Sequence, residues 1–342
     1  MKKLFFIIPL LVLVFIIIFI SSRFENSIIE SVIIHNQNIS GEIKQSQIWS
    51  GNIYVTGDVW TVPEATITIL PGTNIYIAAG RDDQNKGMAS PVAEHEDPIE
   101  TEEYAKTHIN IYATIVAKGL PNQKILFTSD APEKTFADWA CISLKEGSSI
   151  DNVIVEYGGN CGLDLYACGE CKNVTISNSI IRHVFWGCVI LGSSSATAIN
   201  NEIYDCGHEG IGTHPGGGKP IIKNNIIKYS ARGLMLDDSF PLVENNTLVD
   251  NVIGIEARGS GGKIINNYIS SPNGPPNDWV YKNYVYRKDS PRSHGSNCPD
   301  SDPNIGCPGI ETRVGIITIP ATTTEIINNT IENIEEEIRM EV

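Results

Sequence analysis

Ile199-Asn-Asn-Glu-Ile203, Ile222-Lys-Asn-Asn-Ile226, Val243-Glu-Asn-Asn-Thr247 and Ile265-Asn-Asn-Tyr268 are four versions of one phrase. In each, an aliphatic residue runs into a pair of asparagines, and the chain then returns to strand-forming residues. Weaker copies stand at Ile150-Asp-Asn-Val153 and Ile176-Ser-Asn-Ser-Ile180, with a late one at Ile327-Asn-Asn-Thr330. The markers at 152, 178, 201, 225, 246, 267 and 329 are separated by 26, 23, 24, 21, 21 and 62 residues. A period in the low twenties belongs to a solenoid whose repeats stack on their neighbours. Leucine-rich repeats would need regularly spaced leucines, whereas the recurring residues here are Ile, Val, Asn and Gly. Short runs such as Val174-Thr-Ile176 and Ile264-Ile265 read as strands, and no stretch carries the apolar period of an amphipathic helix. Asparagine suits a tight corner because it tolerates left-handed backbone and its amide bonds nearby main chain. Stacked coil on coil, such amides can also bond one another. The expected fold is all-β, a single-stranded right-handed parallel β-helix with coils of about 21–26 residues.

The first half fits the same scheme. Ala65-Thr-Ile-Thr-Ile-Leu-Pro-Gly-Thr-Asn-Ile-Tyr-Ile77 is two alternating strands around a Pro-Gly turn, and 109–119, 124–129 and 138–144 continue the pattern. These phrases resemble the opening coils of exported proteins in the pectin-lyase-like β-helix superfamily. The resemblance covers roughly residues 49–271, with a return near 315–334. It implies the fold, but the superfamily holds lyases, hydrolases, epimerases, adhesins and inert stalks, so it does not choose a function. Two long loop insertions interrupt the coils, at about 80–107 and 272–312. The second carries Trp279, Tyr281, Tyr284 and Tyr286, which could stack on sugar rings or merely pin the loop. Cys298 and Cys307 in the same loop are expected to form a disulfide.

The chain of 342 residues carries a formal charge of −15, which excludes nucleic acid as the expected partner. Residues 81–104 hold eight acids and two bases, and 332–342 hold five acids and one base. These runs read chiefly as solvated loops, with cation binding by Asp82, Asp83, Glu94, Glu96 and Asp97 as the alternative. At the start, Lys2 and Lys3 precede seventeen almost wholly apolar residues, Leu4 to Ile20. That is just long enough to span a bilayer, and no small-x-small cleavage site follows. Residues 1–23 are therefore expected to be a signal-anchor segment, with 24–342 as the β-helix domain outside the membrane, or secreted if the segment is cleaved. An oxidising compartment would let the eight cysteines pair. Cys161, Cys168 and Cys171 could instead bind a metal with His183, although disulfides are the commoner outcome outside the cell. Cys188 reads as core.

A glycine also recurs, at 187, 210, 233 and 254. By strand alternation the first and third residues after it point inward and the second and fourth outward. The fourth positions read Leu191, His214, Asp237 and Arg258 on successive coils, with Asp238 and Glu256 beside them, and Glu209 and Arg232 stack one residue before the glycine. Such a column is either a set of cross-strand charge pairs or a site. As a site, His214 would act as base or acid, and Arg258 or Arg232 would neutralise a uronate carboxylate. Asp237 or Asp238 would orient His214 or hold Ca²⁺. A hydrolase would instead pair carboxylates among Asp237, Asp238, Glu256 and Asp205. His208 could join His214 on a transition metal.

Gly210-Ile-Gly-Thr-His214, followed by Pro215, also resembles the Gly-Phe-Asp-Pro-His stretch of mannuronan epimerases, with His214 on that family's His. The family's Asp falls on Gly212, its Tyr on Glu209 and its Asp one coil later on Arg232. Two functions follow from the sequence. One is an extracytoplasmic, membrane-anchored, non-catalytic protein that recognises polysaccharide or cell-envelope glycan, or serves as a surface or envelope module. The other is a polysaccharide lyase, epimerase or glycoside hydrolase with its site on the His214–Asp237–Arg258 face.

Overall fold

The computed structural model describes residues 31–84, 107–165, 168, 170–274, 313–319 and 323–340. Every strand pairing between coils is parallel, and the chain winds into a β-helix with three strands per coil. The winding is right-handed, as parallel crossovers are. Face one runs from Val32–His35 through Thr197–Ile199 and Ile221–Lys223 to Glu325–Ile327. Face two includes Ile180–Val184 and Thr247–Val249, and face three Gly187–Ile190 and Ile253–Arg258. Two long strands, Glu202–Gly212 and Ile226–Asp237, bend through the corner and serve both of the latter faces.

Aliphatic side chains fill the interior in columns. Face one contributes Ile150, Ile176, Ala198, Ile222, Val243 and Ile264, each beside the next across the parallel ladder. Face two contributes Val155, Ile181, Ile203, Ile227, Leu248 and Ile269, and face three Leu163, Val189, Ile211, Leu234, Ile255 and Ile316. All of these are buried in one core, and each fully buried aliphatic side chain contributes about 1.5–3 kcal/mol.

The asparagine pair divides two tasks at the corner between faces one and two. The first member takes the left-handed conformation, with φ of 52° at Asn152, 50° at Asn178, 57° at Asn200, 55° at Asn224, 56° at Asn245 and Asn266, and 53° at Asn328. The second turns inward to form a ladder. Asn201, Asn225, Asn246 and Asn267 each donate from Nδ2 to Oδ1 of the next, at 3.0, 3.0, 3.0 and 2.9 Å, ending on Asn329. The markers at 152 and 178 thus belong to the first member, and Val153 and Ser179 occupy the ladder position. Ser179 extends the ladder by donating its main-chain N–H to Asn201 Oδ1 at 3.0 Å.

The helix is longer than the sequence resemblance implied, running from Val32 to Met340. In its first coils the corner is held by Asn36, Gly51 and Gly72, at φ of 51°, 73° and 76°, so the paired-asparagine signal is missing there. Three disulfides join Cys141 to Cys161, Cys168 to Cys171 and Cys188 to Cys206. The three-cysteine metal knot is therefore not formed, and Cys188 is core but bridged. The apolar segment 4–20, most of the first insertion, and Trp279, Tyr281, Tyr284, Tyr286, Cys298 and Cys307 in the second lie outside the described residues. Among the described residues no helix is long and apolar enough to cross a membrane.

Candidate functional site on face three

Three consecutive coils bring the predicted charges together. Asp237 pairs in register with Arg258, and the pairing of Gly212 with Met235 sets His214 beside Asp237. Glu209 pairs with Arg232 on the same strands. The inward positions on these coils, Ile211, Leu234, Leu236, Ile255 and Ala257, are buried, as alternation requires. The coil before them is shifted by one residue from the glycine-based alignment. Gly187 pairs with Cys161, Leu163 pairs with Val189 and Val189 with Ile211, so Leu191 lies in the core. His214 instead follows Gly192, whose carbonyl accepts its N–H at 3.2 Å.

The floor of the cluster is buried and the rim half-exposed. Glu209, Arg232 and Glu256 are 0%, 4% and 4% exposed, whereas His214, Asp237 and Arg258 are partly open. Glu256 sits between two guanidiniums, taking Arg232 Nε on one oxygen and Arg258 Nε on the other, the latter at 2.5 Å. Arg232 Nη1 also meets His208 Nε2 at 3.2 Å, and His208 Nδ1 bonds Glu209. Trp186 lies flat on His208, with ring centroids 4.3 Å apart and planes 9° from parallel. The carboxylate of Glu209 occupies space that only glycine leaves open, since a Cβ on Gly187 would stand 2.4 Å from its Oε1 and one on Gly212 2.9 Å from it.

These contacts set the protonation states. Burial would raise the Glu256 carboxyl, yet the two guanidiniums hold it down at about 2. Burial works against ionisation of Glu209 too, but His208, by charge and by hydrogen bond, leads the groups that keep it below its usual range. For His214 burial dominates and lowers the imidazole, with Glu209 and Asp237 pulling weakly the other way. Asp237 is raised, mainly by burial, against the pull of Arg258. Glu209 retains one buried oxygen, Oε1, without a hydrogen-bond partner.

Asp238 does not join the cluster. It is exposed at a left-handed turn (φ 37°), and its side chain lies over Gly259. Asp205 faces the next corner, bonded to His183 at 3.0 Å. His208 and Trp186 belong to the cluster but were not placed there by alternation. The strand Glu202–Gly212 has one more residue between Cys206 and Glu209 than its neighbour has between Ser230 and Arg232, and this bulge turns His208 sideways. Aligning Cys206-Gly-His-Glu209 against Ser230-Ala-Arg232 shows the extra residue directly. Among the described residues the metal-competent atoms that converge within 4.8 Å belong to Glu146, Cys168 and Cys171, and two of these are joined as a disulfide.

Residues 133–269 match the family model of the right handed beta helix region, in agreement with the resemblance of the coils. No curated protein matches the chain. Among solved structures, it is similar to the enzymatically active domain of bacteriophage CBA120 tailspike protein 2, at 12% identity and a TM-score of 0.40. That match covers 88% of this chain but 41% of the tailspike chain. The periplasmic alginate epimerase AlgG matches at 13% identity and a TM-score of 0.39, over 88% of this chain and 77% of that one. The A-module of the Azotobacter vinelandii mannuronan C-5 epimerase AlgE4 matches at 10% identity and a TM-score of 0.27, over 91% of each.

Proposed function

We propose that this chain is an extracytoplasmic, membrane-anchored β-helix protein that recognises polysaccharide on face three, around His214, Asp237 and Arg258. The observation that carries the reading is the rim, where His214, Asp237 and Arg258 stand side by side on successive coils and are left partly open above the buried Glu209, Arg232 and Glu256. The rim adds a neutral imidazole and a guanidinium, which suit hydroxyl and carboxylate groups of a glycan. Disulfides between coils favour an oxidising compartment, and the apolar segment after Lys2 and Lys3 would anchor the chain there.

A second reading is catalytic. His214 and Asp237 are shifted in opposite directions, so at neutral pH a neutral imidazole stands beside a carboxyl raised toward protonation. That pair could move a proton in a lyase, epimerase or hydrolase. Proton NMR of uronate and neutral polysaccharides incubated with the protein, with and without Ca²⁺, separates the readings. Broadened but chemically unchanged glycan signals support recognition. Unsaturated ends, inverted sugars or new reducing ends that vanish in His214→Ala establish an enzyme, and an inert panel refutes both.

A further inference from the structure

The second corner of each coil, between faces two and three, breaks the economy of the first. Both corners demand a left-handed residue. The first is met by asparagine, which enters that conformation readily. The second holds Tyr157 (φ 69°), His183 (φ 54°), Asp205 (φ 55°) and Tyr229 (φ 55°) on successive coils. Asparagine would serve there as well, as Asn333 does at φ 54°. Histidine and aspartate enter this region readily, but the bulky rings of Tyr157 and Tyr229 are disfavoured there, and such positions persist where the surrounding structure holds them.

The side chains form an ordered group. Tyr157 and His183 stack with centroids 5.3 Å apart and planes at 22°, and Phe136 and Tyr204 each meet the imidazole edge-on at 5.8 Å. The polar tips are fixed too. Asp205 Oδ2 holds His183 Nδ1 at 3.0 Å, and Arg182 Nη1 donates to the Tyr204 hydroxyl at 2.7 Å. Arg182 is paired with Glu156 at 2.7 Å, His183 is bonded to Asp205, and Lys134 Nζ stands 5.9 Å from the centre of the Tyr157 ring. Unlike the buried floor on face three, these side chains remain partly open, with His183 25% and Asp205 22% exposed.

We infer that this corner is a second sugar site, which takes a pyranose ring by its apolar face and its hydroxyl groups and has no preference for a carboxylate. Aromatic bodies with oriented polar tips match a sugar ring, which has apolar C–H faces and a hydroxyl rim. The Arg182 guanidinium is taken up by Glu156, and the Lys134 ammonium beside Tyr157 is held by Thr128 Oγ1 and the Ser129 carbonyl, so neither is aimed at a ligand carboxylate. The inference rests on the glycan reading above and adds to it a place and a ligand chemistry distinct from those of face three.

The test uses His183→Asn and Tyr157→Asn, since asparagine keeps the left-handed corner, with Arg258→Ala as the face-three comparison. Binding of glucose, galacturonate and mannuronate hexasaccharides to the full chain is measured by calorimetry, and melting temperature reports folding. Both corner variants are expected to keep the fold and to lose at least tenfold in affinity for neutral and acidic hexasaccharides alike. Arg258→Ala is expected to lose affinity for the acidic ones alone. Wild-type affinity in both corner variants, or a loss confined to acidic sugars, overturns the corner site while the face-three reading stands. Absence of binding by the wild-type protein to every hexasaccharide removes both.

Discussion

Asn225 and Asn246 are bonded amide to amide across adjacent coils, Nδ2 to Oδ1 at 3.0 Å, in the buried corner between faces one and two. Asn225 Oδ1 also accepts both the main-chain N–H and Nδ2 of Asn201, each at 3.0 Å. Asn225→Ala therefore strands two buried donors and is expected to cost roughly 2–5 kcal/mol. Its exposed neighbour Asn224 supplies only a left-handed backbone, so Asn224→Ala should cost about 1–2 kcal/mol and Asn224→Gly almost nothing. Urea denaturation of the three variants checks this, and equal losses at 224 and 225 would refute the division of roles.

That division explains what the sequence could disclose. A residue type repeated at one corner gave the period, the coil and the faces. The register then drifted wherever a different residue met the same need: Gly51 and Gly72 replace asparagine in the early coils, and Ser179 replaces it in the ladder. His214, Asp237 and Arg258 were legible because they follow a shared glycine on regular strands. His208 was legible as a candidate beside His214, but not its place between Glu209 and Arg232, because the extra residue before Glu209 defeats strict alternation. At the second corner Tyr157, His183, Asp205 and Tyr229 follow one another with no residue type on adjacent coils, so that corner left no periodic trace. Side chains chosen for chemistry differ from coil to coil, whereas those chosen for geometry recur.

Cys188 and Cys206 are wholly buried and join successive coils inside the core. Closing a loop of 18 residues removes denatured-state freedom equivalent to about 3 kcal/mol. Cys188→Ala with Cys206→Ala should lower stability by that order, since the methyl groups also leave a small void. A denaturation midpoint unchanged from wild type would show that the bridge contributes nothing to the coil stack.

His208 and Glu209 form a pair that burial makes indivisible. With His208→Ala the fully buried Glu209 loses the ring that bonds its carboxylate, and removing a hydrogen-bond partner from a buried charged group costs about 1.5–3 kcal/mol. His208→Ala combined with Glu209→Gln leaves no stranded charge and should recover a large part of that loss. The cycle is read from thermal or urea unfolding at neutral pH. Additive losses would mean that the two residues act independently.

Glu256 makes the acid limb of stability specific to face three. Its carboxyl falls from 4.5 to about 2 on folding, so its stabilising contribution is fully present above about pH 4.5 and fades as pH drops toward 2. A displacement of that size corresponds to about 3 kcal/mol. His214, lowered by burial, adds an earlier loss that begins as pH falls through its ordinary value of 6.5, where the unfolded imidazole takes up a proton more readily than the folded one. Asp237 is raised on folding and so acts in the opposite sense, gaining relative stability as pH falls. Unfolding free energy measured from pH 7 to pH 2 should thus decline in two stages. Glu256→Gln should shrink the lower stage, to which Glu209 also contributes, and His214→Asn should abolish the upper one. If Glu256→Gln left the lower stage undiminished, the carboxylate between Arg232 and Arg258 would not be what holds this face together.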